Sequence, residues 1–303
     1  MNKTMRMVMA VLLLAGTRAA AQERDANTDA QLKAFREALP ELVGKKATPE
    51  TLQEALSRLE KVRALPGLTP AEQWKLVQDR LRIGAVWGGP EWQDTRKRDY
   101  PAALLEGQAH APNLFEKMNL ALLHGDVVMS WFPEEEAEAR RSWASVSQNE
   151  EAPPYFRFLA LDKQARSLLY VPPQPGHLGA NFPEIRTVAP EAVRPDALKE
   201  AVALWREAIR LPLASWVRLN GIVAAARAHQ SCGQPEQALA FIEEQLPLVT
   251  DVTERERAEM NAIMADLADA LGQRAKARTL RLAVLAAPHV RPQLVETVQA
   301  ASR

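Results

Sequence analysis

Ile222-Val223-Ala224-Ala225-Ala226-Arg227-Ala228-His229 runs into Gly233-Gln234 and returns as Pro235-Glu236-Gln237-Ala238-Leu239-Ala240-Phe241-Ile242. This is a small-residue helix, a glycine turn and a second helix. The pattern then recurs. Met260-Asn261-Ala262-Ile263-Met264-Ala265-Asp266-Leu267 leads to Gly272-Gln273 and returns as Arg274-Ala275-Lys276-Ala277. Both copies carry Gly-Gln-x-x-x-Ala, and their glycines stand 39 residues apart. A helix-turn-helix that repeats at such a period is a unit that cannot bury its apolar face alone and stacks on its neighbours. The expected fold is therefore all-α, an α-solenoid of antiparallel helical hairpins.

These residues resemble the tetratricopeptide repeat (TPR). Gly233 with Ala238, and Gly272 with Ala277, match the glycine that closes its first helix and the small residue that lets the second pack closely. Ala226 and Ala265 match its small residue seven positions before the turn. His229 and Ala268 stand where the family has an aromatic, and Ile242 and Arg281 where it has a bulky residue. The period exceeds the family's spacing of about 34 residues, which places extra residues in Leu246 to Thr253. The resemblance covers the C-terminal half only. It implies a concave face built from the first helix of each pair and used to bind a protein or peptide partner, and Asn220, His229 and Asn261 are the candidates on that face.

Working outward, Asp196 opens a regular helical region, residues 196–303, and Pro292 to Ala300 reads as a helix capping the last repeat. Before it, residues 171–195 hold six prolines and two glycines, a density that denies the backbone a helical ladder. Leu178, Phe182 and Ile185 give this insertion apolar anchors, so a loop packed along the solenoid is expected rather than a free linker.

Residues 22–170 read as further hairpins. Thr28-x-x-Gln31 has the form of a capping box, with Pro40 ending its helix. Thr48-Pro49 and Thr69-Pro70-Ala71-Glu72 are helix starts, cap and proline in place. After Gly88-Gly89, the charged run Asp94 to Asp99 and Pro101 predict a short or interrupted helix, and His124-Gly125-Asp126 predicts a break. Trp87 and Trp92 flank a rigid turn and are candidates to anchor a partner or stack on a sugar ring, against the plainer role of pinning the turn to the core. Trp74, Trp131, Trp143, Trp205 and Trp216 fall in helical patterns and are read as core.

At the N-terminus, Lys3 and Arg6 precede the apolar run Met7 to Gly16, and Ala19-x-Ala21 is a small-x-small cleavage site. The run is too short for a span, which needs about 20 apolar residues. The expectation is a cleavable signal, residues 1–21, and a periplasmic or secreted protein without an integral membrane span. Removing it leaves 282 residues with 35 basic against 38 acidic, a net charge of −3. That balance gives no electrostatic reason to expect nucleic acid. Cys232 is the only cysteine, so no intramolecular disulfide forms.

The histidines His110, His124, His177, His229 and His289 lie in no metal-ligand spacing. No Gly-x-Ser-x-Gly, phosphate-binding glycine loop or Ser-x-x-Lys is present. Glu134 to Glu138 suits the positive end of a helix dipole better than acid catalysis. Arg206, Arg210 and Arg218 are candidates to read an acidic peptide. The reading is a non-catalytic exported scaffold or adaptor with no cofactor. The alternatives are a helical-barrel enzyme acting on polysaccharide, or a structural component of an envelope assembly.

Overall fold

The computed structural model describes residues 26–86, 88–169 and 195–301, and all of their regular structure is helical. Residues 1–25, which include the expected signal, Trp87, residues 170–194 of the proline-rich stretch and residues 302–303 lie outside the described residues. Two compact units divide between His124 and Gly125.

The first unit contains α1 (Ala26–Leu42), α2 (Pro49–Arg63), α3 (Pro70–Ala85), α4 (Pro90–His110) and the start of α5 (Leu114–Trp131). Neighbours in sequence are neighbours in space, as in a solenoid. Thr48 and Thr69 cap α2 and α3 with reciprocal side-chain and backbone bonds, because each offers an oxygen to an N–H that the helix itself leaves unpaired. The box expected at Thr28 does not form: Thr28 is buried inside α1, and Gln31 donates to Asn27 Oδ1. Nor does Pro40 end the helix, which runs to Leu42.

Two other expected breaks are also absent. α4 continues through Pro101 for 21 residues, and α5 continues through Gly125 for 18. Packing decides both. The Tyr100 ring lies so close to Gly84 of α3 that a Cβ there would meet Tyr100 Cδ2 at 2.5 Å. Gly125 gives up its side chain to admit the indole of Trp143. Long helices pressed on neighbours tolerate one missing bond that an isolated helix would not.

Asp79 is a buried carboxylate in this unit. It is 2% exposed, with Lys75 Nζ 3.5 Å from Oδ1 and no hydrogen bond to Oδ2. Burial raises its pKa above the usual carboxylate value, against the pull of Lys75. The folded state therefore holds this proton more tightly than the unfolded chain, and stability falls as pH rises from about 4 through the raised folded value. Asp79→Asn is expected to stabilise the unit by about 1 kcal/mol near neutral pH and to flatten that slope. Thermal melts across the acid range check both; an Asn variant less stable than the parent at neutral pH would contradict the account.

The second unit continues with α6 (Glu136–Ser147), entered by a 3-10 turn at Pro133–Glu135, then α7 (Pro154–Leu168), α8 (Pro195–Ile209), α9 (Ser215–Ser231), α10 (Pro235–Gln245), α11 (Glu254–Ala270), α12 (Arg274–Ala286) and α13 (Pro292–Ala301). Gly233 and Gly272 adopt φ of 69° and 70°, the left-handed conformation in which a Cβ is strained. Around them Gln234 N–H bonds to His229 O and Gln273 N–H to Ala268 O, at 2.9 and 2.8 Å. Gly233 and Gly272 N–H bond three residues back, at 3.0 and 2.9 Å. These are two equivalent Schellman caps.

The α7–α8 pair forms a third hairpin that the sequence pattern conceals. Its second helix starts at Pro195, in step with Pro235 and Arg274, but in the sequence the proline-rich stretch stands between its two helices. One core joins α7 to α12 through Trp205, Ile222, Phe241, Ile242 and Met264. α13 closes the end, with Val298 against Ala258, Ala262 and Val284. Among the described residues no helix is long and apolar enough to cross a membrane.

Candidate functional site

A groove of about 890 Å³ lies between α7 and α9, the first helices of successive hairpins. Both helices pack antiparallel on α8, so they run parallel to each other. Phe158 of α7 packs with Val217 of α9, and Gly221 permits the approach, since a Cβ there would lie 3.3 Å from the Phe158 ring. Helical spacing then sets one stripe on each wall: Tyr155, Leu159, Asp162 and Arg166 on α7, and Trp216, Asn220, Val223, Arg227 and Gln230 on α9.

The stripe has exposed aromatics. Trp216 is 56% and Tyr155 45% exposed. Trp216, read from its helical pattern as core, is instead on the groove wall. Ser215, Val217 and Leu219 on the same turn are buried, and they use up the inward directions. This is the residue that sequence reasoning missed; its displacement from the Val217–Ala224–Ala228 buried register was the available signal.

Of the candidates on the first-helix face, Asn220 is exposed in the groove. His229 is not among the lining residues. Its Nδ1 is 3.1 Å from Gln234 Oε1, and its ring faces Phe241 at 6.2 Å between centroids, so it closes its own hairpin. Burial lowers its pKa and keeps the ring neutral. Asn261 is half-buried on α11, away from the lining residues. Trp92 is 2% exposed in the first unit's core with Leu52 and Leu59, which is the packing role, while Trp87 lies outside the described residues.

The arginines proposed to read an acidic peptide are committed elsewhere in two cases. Arg206 pairs with Glu244 at 2.7 Å and lies over Phe241. Arg218 donates to the carbonyls of Ile209 and Leu248, both at 2.7 Å. Arg210 is exposed. The groove's own cations are Arg166 and Arg227. Asp162 accepts from Trp205 Nε1 at 2.8 Å and from Arg166 Nε at 2.7 Å. Arg227 is exposed and makes no ion pair among the described residues.

Among the described residues no cluster of three or more His, Cys, Asp or Glu is placed to hold a metal ion. Cys232 is half-buried, and burial raises its thiol pKa, which favours the protonated form over the nucleophilic thiolate. Comparison of the chain with protein-family models, with curated proteins and with solved structures gives no match.

Proposed function

We propose that this chain is an exported, non-catalytic helical-repeat protein of tetratricopeptide-like organisation that holds an extended segment of a protein or peptide partner in the α7–α9 groove. The observation that carries the reading is the pair of exposed aromatics, Trp216 and Tyr155, beside Asn220 on the walls of that groove. Exposed aromatics gathered in one groove cost solubility unless they are covered in use, and Trp and Tyr are the residues that anchor interfaces. Asn220 offers both a donor and an acceptor to an extended backbone. Export rests on the basic, apolar and small-residue pattern of residues 1–21.

Hydrolysis of polysaccharide needs two carboxylates facing each other across the scissile bond. The groove lining holds one, Asp162, and it is already engaged by Trp205 and Arg166.

The test is affinity capture from an envelope extract with the parent, Trp216→Ala and Asn220→Arg. Both side chains are exposed, so neither change should alter thermal stability by more than about 0.5 kcal/mol. A partner captured by the parent is expected to bind Trp216→Ala at least tenfold more weakly, about 1.4 kcal/mol or more. Equal capture by parent and variants would place the binding surface elsewhere.

A further inference from the structure

The last hairpin carries an apolar surface that the groove does not use. Leu282-Ala283-Val284-Leu285-Ala286-Ala287-Pro288 is an unbroken apolar run at the end of α12. Within it Val284 alone is buried, against α11 and α13. Leu282 is 58% and Leu285 38% exposed, and Ala283, Ala286 and Pro288 are exposed with them. A run of this kind left in water is a fault in a fold unless something covers it in use. None of these residues lines the α7–α9 groove.

The charges of this segment have one sign. From Leu271 to Val295 the chain has Arg274, Lys276, Arg278, Arg281 and Arg291 and no Asp or Glu, in a sequence that balances 38 basic with 38 acidic residues. Three of the five pair with carboxylates of other helices: Lys276 with Glu243 at 2.6 Å, Arg281 with Asp266 and Asp269, and Arg291 with Glu259. Arg274 and Arg278 are exposed and make no ion pair among the described residues. At about 100° per residue, Arg274, Arg278, Leu282 and Leu285 fall within about 80° of one another round α12. They form a single stripe, with cations at its start and leucines at its end.

We propose that this stripe docks α12 on an anionic lipid bilayer, with Leu282 and Leu285 entering the acyl boundary and the Arg274 and Arg278 guanidiniums on lipid phosphates. Charge complementarity selects that surface. A guanidinium meets a phosphate with two parallel N–H bonds, and attraction of each exposed cation to an anionic leaflet adds to the apolar burial. A second copy of the same face brings no carboxylate to Arg274 and Arg278, because none lies between Leu271 and Val295. The leucines also project from one helix, and a fluid surface closes around such a ridge without a matching pocket. α12 has 13 residues, too few to cross a bilayer, which takes about 20. The contact is therefore interfacial, and so small an apolar area makes it reversible. It stands independently of the groove.

The test is flotation with vesicles of phosphatidylcholine alone and of an equal mixture of phosphatidylcholine and phosphatidylglycerol. It uses the chain from Gln22 onward, which holds every described residue and leaves out the apolar N-terminal run. The parent is expected to bind the mixed vesicles roughly tenfold more tightly than the neutral ones, and raised salt should abolish the difference. Arg274→Gln with Arg278→Gln should remove that preference. Leu282→Gln with Leu285→Gln should weaken binding to the mixed vesicles roughly tenfold or more. All four positions are exposed, so both double variants should keep the parent's circular dichroism and melting temperature, and Trp216→Ala should float as the parent does. A parent that floats with neither vesicle, or an arginine variant that keeps the preference, would overturn the proposal. So would a leucine variant that floats like the parent, or loss of binding in Trp216→Ala, which would move the lipid contact to the groove. A parent that is dimeric without vesicles and monomeric after the leucine change, by analytical ultracentrifugation, would assign the run to a second copy instead.

Discussion

Trp205→Ala is expected to destabilise the Gly125–Arg303 unit by about 3–5 kcal/mol. Trp205 is 0% exposed at the centre of the shared core, packed with Ile209, Ile222 and Phe241. Truncation opens a cavity between α7, α8 and α9 and takes the indole donor away from Asp162. Against a typical domain stability of roughly 5–15 kcal/mol, that is enough to populate unfolded chain in mild urea. Trp205→Phe separates the two effects, because it keeps most of the volume and removes the N–H; about 1–2 kcal/mol is expected from it. The urea midpoint measured by circular dichroism is the readout. An alanine variant within about 1 kcal/mol of the parent would mean that Trp205 is not the keystone of this core. The groove should suffer too, since Asp162 and Arg166 lose their anchor, so binding to the alanine variant is expected to weaken even where it remains folded.

The second large effect is one whose sign the structure reverses. In an exposed helix interior, Gly→Ala stabilises by about 1 kcal/mol. Gly125 lies in the middle of α5, yet Gly125→Ala is expected to cost about 1–3 kcal/mol. A Cβ there would fall 2.6 and 2.7 Å from Trp143 Cε2 and Cδ1. Trp143 is 2% exposed and hydrogen-bonded to Asp126, so it cannot retreat. Asp126 is itself tied to Lys163 Nζ at 2.9 Å, which ties α5 to α7 at this point. In a Trp143→Phe background the smaller ring leaves room, and the same Gly125→Ala change should become neutral or stabilising. Coupling of that sign in a double-mutant cycle is the check. Stabilisation of the parent by Gly125→Ala would show that the indole does not press on this backbone.

The two glycine turns and the caps at Thr48 and Thr69 were readable from sequence alone. Each is complete within one helical turn: a residue that tolerates left-handed φ, or a hydroxyl three residues from the N–H it accepts from. From these and the 39-residue period came the all-α class and the hairpin order. The same local grammar misled where packing outvoted it. Pro101 and His124-Gly125-Asp126 carry break signals, but Gly84 and Gly125 are contact surfaces for Tyr100 and Trp143, and the helices run on.

Tertiary structure alone decided which aromatics face water. Trp92 and Trp216 both stand near helix starts, and residue type does not tell them apart. Trp92 meets Leu52 and Leu59 and is buried, whereas Trp216 points away from the α8 core and onto the groove. The α7–α8 hairpin was hidden for a related reason, since its two halves are separated in sequence by the insertion and, among the described residues, meet through Asp162, Trp205 and the core between them. Burial depends on the partners a residue meets across the chain, and those partners are fixed by packing, not by the turn in which the residue sits.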